Sequence, residues 1–352
     1  MRRFIVYVIL ALMFCIPVLA QEKPLTQAEY VQLLYGIERR SVNKSEVVDA
    51  LRRRGIGFAL NDGIRSLTRS KGANDDELKR ALEEAERRRK DPEGTRLPTA
   101  LETAGLIDKT RRKTLEAVGE MPDFVVKQQI QRSEAYAGTG NFRNLDKLIV
   151  AVSYRSSGEE SYKLLSINGA LQANAESKRN YEEAGGTSST GEFVTMLATI
   201  FKPESETEFM PVQTDLVRGR NTVIFDFSVE RDKAKQQIVA GGGYSQMTLT
   251  GMKGRIWIDR DEFRVLRVES EATEIPENFP IRTARRTIDY DWTTISDERY
   301  LLPLISDVRL TFREKSNVYE SRNLIRFTNY QKFGTDIIIG PEDSEPVLEE
   351  KP

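Results

Sequence analysis

The chain has 352 residues, its 53 lysines and arginines balance 54 aspartates and glutamates, and 39% of its residues are apolar. This length suggests two domains, or one large and one small, and the balanced charge gives no sign of a nucleic-acid-binding surface. There is no histidine, and Cys15 is the only cysteine. The composition therefore excludes Ser-His-Asp and Cys-His catalysis, ordinary zinc sites and disulfides within the chain. We predict a non-enzymatic protein without a cofactor.

The chain begins with the pattern of a signal peptide, predicted at residues 1–20. Two arginines precede an apolar stretch at 4–17, which is short for a membrane span. A small-residue site ends at Ala20, so we expect cleavage there and a periplasmic or secreted mature protein. The bulky residues before Cys15 argue against a lipoprotein signal, and a retained signal anchor is the alternative.

Residues 21–92 are predicted to form a small helical bundle. Apolar residues recur there at helical spacing, and each segment is amphipathic, so the helices are stable only when they pack together. Cap and stop residues delimit four helices: Thr26 with Glu29 and Gly36, Asn43 with Glu46 and Gly55, Asn61 and Gly72, and Asn74 with Glu77 and Pro92. The bundle contains no cluster of chemically reactive residues, which is typical of a protein-interaction module.

Residues 93–120 are predicted to be a linker with a helix. The sequence leaves open whether that helix packs on the next domain or simply connects the two.

Residues 121–335 are predicted to form an antiparallel half-barrel, a curved sheet of many short strands. Alternating apolar residues mark strands within the segments 124–130, 148–154, 162–167, 223–229, 238–240, 245–250, 283–293, 306–312 and 324–333. The hairpin 254–270 lies at the centre of this series. The fold class that follows is α+β, with a helical bundle before the sheet.

One helix interrupts the strands, predicted from a capping box at Ser189 and Glu192 to Lys202. Its apolar stripe must cover one face of the sheet. Two interpretations remain open: the helix seals a packed core, or it forms a lid over an apolar cavity.

The segment from Gly254 to Glu269, with its Ile-Trp-Ile-Asp arm, polar turn and Phe-Arg-Val-Leu-Arg-Val-Glu arm, resembles the bacterial outer-membrane lipoprotein carrier and sorting proteins (Lol-type half-barrels). The whole chain also resembles an uncharacterised family of secreted bacterial proteins, through Met121-Pro-Asp-Phe124, Gly185 to Phe193, and Tyr290-Asp-Trp292. The carrier resemblance implies an apolar concave face that holds acyl chains under mobile helices.

The resulting hypothesis is an exported binding protein of the bacterial envelope that holds a lipid or lipoprotein acyl chain in the curved sheet. The alternative is a structural or protein-interaction module of the envelope without a small-molecule ligand, with a protein partner bound through the helical domain. The candidate ligand-binding residues are Val150, Val152, Phe193, Met196, Leu197, Ile200, Phe225 and Phe227.

Two carboxylate pairs, Asp259 with Asp261 and Asp289 with Asp291, have the spacing of residues that share a strand face. Solvated strand residues are the simpler interpretation, since no positioning partner is visible beside them. Residues 336–352 are rich in acidic residues and are predicted to form a disordered tail.

Overall fold

The computed structural model describes residues 22–172, 191–240 and 246–333. The predicted signal peptide, acidic tail and residues 185–190 therefore lie outside the described residues. In the described part, helices come first and an open antiparallel sheet follows, which confirms the α+β class. The helices are α1 (Gln27–Glu38), α2 (Lys44–Arg54), α3 (Asp62–Lys71), α4 (Asp76–Lys90), α5 (Ala100–Gly119), α6 (Thr195–Phe201) and α7 (Arg231–Ala234).

Helices α1 to α4, called the helical module below, enclose their own apolar core around Tyr30, Leu51 and Leu78. The predicted Thr26 and Glu29 capping box is present. The predicted N-cap of α2, Asn43, is also confirmed, although its side chain makes no capping bond to the backbone. The predicted N-cap of α4 was wrong, since Asp75 rather than Asn74 occupies that position.

Within the described ranges the sheet has twelve strands, joined in the order β4-β3-β2-β1-β12-β11-β10-β9-β8-β6-β5, with β7 paired to β8. The first and last strands of the domain pair with each other, so the sheet is not one continuous meander. The strands are β1 (Phe124–Tyr136), β2 (Arg143–Tyr154), β3 (Glu160–Ile167), β4 (Ala170–Leu171), β5 (Glu208–Val217), β6 (Arg220–Val229), β7 (Gln236–Ala240), β8 (Gln246–Asp259), β9 (Val265–Thr273), β10 (Ile281–Ile295), β11 (Glu298–Glu314) and β12 (Asn317–Lys332).

The register gives the sheet two chemically different faces. On the apolar face, one transverse row crosses eight strands and contains a single polar residue, Ser306. The row is Leu148, Ile130, Ile325, Ser306, Ile288, Val268, Ile256 and Phe225. On the opposite, charged face, an adjacent row contains Asp307, Thr287, Glu269, Arg255 and Asp226.

The central hairpin, β8 and β9, is set by a polar turn and a close backbone approach. Asp259 Oδ1 accepts hydrogen bonds from the backbone N–H groups of Asp261 and Glu262, both at 2.9 Å, and its other oxygen binds Arg220. At Gly254, an added Cβ would lie 1.9 Å from the carbonyl oxygen of Glu269. Only glycine therefore fits at this point of the β8–β9 pairing.

Different elements cover the two faces. Helices α5 and α6 pack on the apolar face. The helical module lies over the charged face, where Arg52 of α2 and Arg80 of α4 both bind Glu269 of β9. The sheet is thus an intermediate layer between two sets of helices, and each interlayer region is a candidate binding site.

Candidate functional site

The predicted apolar site lies between the sheet and helices α5 and α6. All eight candidate residues are buried, with exposed fractions from 0 to 8%. The structure divides them between two apolar clusters. Val150, Val152 and Phe193 belong to one, and Met196, Leu197, Ile200, Phe225 and Phe227 belong to the other.

Helix α6 packs by apolar contact alone over the second of these clusters. It begins at Thr195, later than predicted, and its side chains form no ion pair or hydrogen bond among the described residues. Just before α6 in the chain, the ring of Phe193 contacts Phe124 and Phe327 edge-on, at centroid distances of 5.3 and 5.5 Å. The covering layer is therefore held to the sheet largely by apolar burial.

Helix α5, whose position the sequence left open, packs on the same apolar face. Leu106 joins the cluster under α6, and Val118 contacts the other cluster. The stripe between them carries Thr110 and Thr114, which are 0 and 3% exposed. A run of Leu, Thr, Thr and Val at helical spacing was a weak sequence signal, because threonine does not mark a core position by itself.

Several polar atoms in this apolar layer have no hydrogen-bond partner among the residues that the structure describes. Both amide atoms of Gln128, the hydroxyls of Tyr290 and Ser306, and the hydroxyls of Thr110 and Thr114 are buried and unpaired. The cost of each such group is about 1–3 kcal/mol in a protein interior. Gln128 was not among the predicted site residues. Its position between the apolar residues Val126 and Ile130 of one strand face could have indicated a buried polar group.

A half-buried tyrosine–carboxylate cluster lies at the edge of the same layer. Tyr162 donates a hydrogen bond to Glu160, and the Gly191 backbone N–H donates to the same carboxylate at 3.1 Å. Burial raises the pKa of Glu160 above its ordinary value and raises that of Tyr290 as well. In both groups burial opposes the charged form.

A second region, called the charged cleft below, separates the helical module from the charged face. It is a cavity of about 850 Å³ between α2, the start of α4 and strands β5, β6, β8, β9, β10 and β11. Of the eight predicted site residues, Phe227 lines it and the other seven do not. Its lining is dominated by charged side chains of both signs.

Ion pairs join the two walls of the charged cleft. Glu269 binds Arg52 at 3.0 Å and Arg80 at 2.7 Å. On β11, Arg309 binds Asp75 at 3.2 Å and Asp76 at 2.8 Å. These long arginine side chains span the gap and hold the helical module over the sheet.

The environment of the charged cleft shifts carboxyl pKa values in both directions. Burial opposes the charged form of Glu269, but Arg80 and Arg52 outweigh it and lower its pKa to about 2. Asp307 is similar: burial is outweighed by Arg309 and Arg322, and its pKa falls to about 2. For Glu84 on α4, burial dominates and raises the pKa.

The sequence-predicted carboxylate pairs lie outside both interlayer regions. Asp289 is bound by Arg267 at 2.7 Å and by Arg218 at 3.5 Å, and Asp291 lies 3.8 Å from Arg218. Asp259 supports the hairpin turn. Asp289 and Asp291 are therefore members of an ion-pair network with Arg218 and Arg267.

Two general features can be stated for residues 22–172, 191–240 and 246–333. No group of three or more carboxylate, histidine or cysteine residues is arranged to hold a metal ion. Within the same residues, no helix combines the length and apolar character that a membrane crossing requires.

Comparison with known proteins gives loose structural similarities. No family model and no curated protein matches the sequence. A LolA superfamily protein from Nitrosomonas europaea is similar at 12% identity and a TM-score of 0.28, over 64% of this chain and 94% of that one.

Two further solved structures are similar. A DUF1329 family protein from Desulfovibrio piger has 9% identity and a TM-score of 0.27, over 65% of this chain and 92% of that one. The Pseudomonas aeruginosa MucA/MucB complex has 9% identity and a TM-score of 0.18, over 64% and 94%.

Proposed function

We propose that this protein is an exported, non-enzymatic binding protein of the bacterial envelope, and that it holds a lipid or lipoprotein acyl chain between the apolar face and helices α5 and α6. The observation that carries the proposal is the set of unpaired polar atoms in that layer, above all Gln128 and Tyr290. An acyl chain brings an ester or amide group with it, and such a group supplies the missing hydrogen-bond partners.

The polar end of the ligand is placed by these two residues. Tyr290 Oη is one donor, and burial raises the pKa of its hydroxyl. Gln128 Nε2 is a second donor, on a strand whose Val126 and Ile130 belong to the apolar cluster around Phe124. A carbonyl oxygen of the ligand accepts from either donor. The chain then extends over apolar side chains, since the transverse row on either side of Ser306 is entirely apolar.

Helix α6 supplies the entry for the chain. Its inner residues Met196, Leu197 and Ile200 make apolar contacts that an acyl chain can replace without leaving a charge or hydrogen bond unpaired. Burial of apolar surface contributes roughly 25 cal/mol per Å², so replacing the helix by a chain of similar area has a small net cost. The eight predicted residues are thus the proposed lining of the opened site.

The test is native mass spectrometry of protein purified from its own envelope, with lipid extraction and titration with a fluorescent fatty acid. Met196→Trp fills the layer under α6, and Met247→Trp is the matched control at an exposed methionine of β8, 60% exposed. We expect the first variant to weaken fatty-acid binding about tenfold or more, a change of about 1.4 kcal/mol, and the second to bind normally. A lipid-free wild-type protein that does not bind the fatty acid, or equal binding by both variants, contradicts the proposal.

A second candidate function is protein interaction, and one surface feature favours it. Val239 of β7 pairs with Met247 of β8, so both lie on one face of this ribbon, together with Leu249. Their exposed fractions are 55, 60 and 41%. If the fatty acid does not bind, a complex in the envelope that is lost in Met247→Lys supports an interaction module.

A further inference from the structure

The charged cleft is a separate site from the proposed acyl site, because it lies on the opposite face of the sheet. Its floor is the strand face that carries Arg255 and Glu269, and its roof is α2 with the start of α4. The volume of about 850 Å³ falls in the range of small-molecule sites. Its exposed lining residues, such as Ser45 and Ser228, lie where the cleft opens to solvent.

Arg255 lines this cleft and carries a donor that makes no hydrogen bond to any described residue. The residue is 5% exposed and its Nε donates to Asp226 at 2.8 Å. The donor is Nη1, whose counter-charge is Glu84 across the interface, in an ion pair of 3.9 Å that is too long for a hydrogen bond. A buried guanidinium N–H without a hydrogen bond has a desolvation cost, and a charged or polar acceptor within hydrogen-bond distance removes that cost.

Lys253 lies two residues before Arg255, so both side chains leave β8 on the charged face. Both line the cleft. Lys253 is exposed and forms no hydrogen bond or ion pair with any described residue. A buried arginine donor and a freely rotating ammonium group on one strand face are a suitable pair of donors for an oxyanion.

The carboxylates that line the floor are already used by arginines. Glu269 binds Arg52 and Arg80, and Asp226 binds Arg255. Their negative charge is therefore largely neutralised where an anion would sit. Asp49 and Glu208 are different, because they line the cleft, are exposed and have no partner among the described residues. These two carboxylates repel additional negative charge.

We propose that the charged cleft binds a ligand through one phosphate group, seated between Arg255 Nη1 and Lys253 Nζ. The exposed Asp49 and Glu208 disfavour polyanions, so the ligand carries a single anionic group. A soluble phosphate compound and a phospholipid headgroup share this chemistry.

The experiment is isothermal titration of the full mature chain with inorganic phosphate, glycerol 3-phosphate and tripolyphosphate, beside flotation with phosphatidylglycerol and phosphatidylcholine vesicles. We expect glycerol 3-phosphate to bind more tightly than tripolyphosphate. Binding of the free compounds assigns a soluble ligand. Binding confined to phosphatidylglycerol vesicles assigns a lipid headgroup, and either result supports the site if the variants respond as follows.

The test variant is Lys253→Ala, because an exposed lysine without partners can be removed without unfolding the chain. The matched control is Lys163→Ala, an exposed strand lysine of β3 outside the cleft. Lys253→Ala is expected to weaken binding about tenfold and Lys163→Ala to leave it unchanged. Arg255→Lys is a second variant, which keeps the charge and loses the Nη1 donor, and it too should bind more weakly. Absence of binding to all probes at millimolar concentrations, or equal affinity in wild type and Lys253→Ala, overturns the proposal.

Discussion

Arg80 on α4 and Glu269 on β9 form an ion pair of 2.7 Å, although 189 residues separate them in the chain. The same carboxylate also binds Arg52 of α2, so one buried acid ties two helices of the module to the sheet. The pair is largely removed from water, with side chains 19 and 10% exposed. The position of the helical module on the sheet therefore depends on the negative charge of Glu269.

Removing the charge of Glu269 should therefore destabilise the protein. In Glu269→Gln, Arg80 loses its ion-pair partner and Arg52 keeps only Glu77, so the expected loss is about 3 kcal/mol of unfolding free energy. Urea denaturation followed by circular dichroism measures it. Glu204→Gln, at an exposed residue with no partner among those described, is the control and should change the free energy by less than about 0.5 kcal/mol. A loss equal to that of the control would show that the pair contributes nothing.

The same network predicts how stability depends on pH. Glu269 and Asp307 have folded pKa values of about 2, below their ordinary values of 4.5 and 3.8. Since the folded values are lowered, their contribution is fully present above the ordinary pKa and is lost as the pH falls from about 4 to about 2. Glu84 has the opposite sign, because its raised pKa makes its ionisation at higher pH destabilising. As the pH is lowered from 7 to 2, the unfolding free energy should fall steeply only below about pH 4. A steep fall that begins above pH 5 would contradict this.

The sequence predicted the capping box of Thr26 and Glu29 correctly, because this feature depends only on neighbouring residues. Strand β5 was missed, because Glu208–Val217 contains Pro211 and many polar residues. It is an edge strand, where proline is tolerated.

The candidate site was only partly predictable for a different reason. The pairing of β8 with β9 places Arg255 and Glu269 on one face, but no local pattern in the hairpin indicates what covers that face. Both residues are buried, at 5 and 8% exposed, under helices nearly 200 residues earlier in the chain. The pairing of β1 with β12 is equally long-range, and no local pattern encodes it.

Backbone geometry at the central hairpin gives a third prediction. Gly254→Ala places a Cβ 1.9 Å from the Glu269 carbonyl oxygen, so β8 and β9 must separate locally. We expect a loss of about 1–3 kcal/mol. Gly105→Ala, in α5, is the control, since nothing lies within 4 Å of its added Cβ. At an exposed helix position, alanine in place of glycine should raise the unfolding free energy by about 0.5–1 kcal/mol. Thermal and urea denaturation of both variants distinguish these opposite signs, and equal behaviour would contradict the close approach.

The last prediction concerns the division between the helical module and the β domain. The connection between α4 and α5 is largely exposed, and trypsin should cut first at Arg96. Thr214 of β5 donates a hydrogen bond to the Gly94 carbonyl at 2.5 Å, which holds this segment on the sheet. Thr214→Val removes that bond and should accelerate cleavage. First cuts inside the sheet, with Arg96 protected, would contradict the division.

After cleavage, the two fragments should remain associated through ion pairs, because the module's apolar core is internal and its contacts with the sheet are mainly arginine–carboxylate contacts. Such contacts are screened by salt, with a Debye length of about 3 Å at about 1 M. Size-exclusion chromatography should therefore show one species at about 0.05 M salt and two at about 1 M. The module should keep its helical circular dichroism, since Leu51, Leu78 and Tyr30 are fully buried within it. Fragments that stay together at high salt would instead indicate an apolar interface, and would remove the electrostatic basis for docking of the module on the charged face.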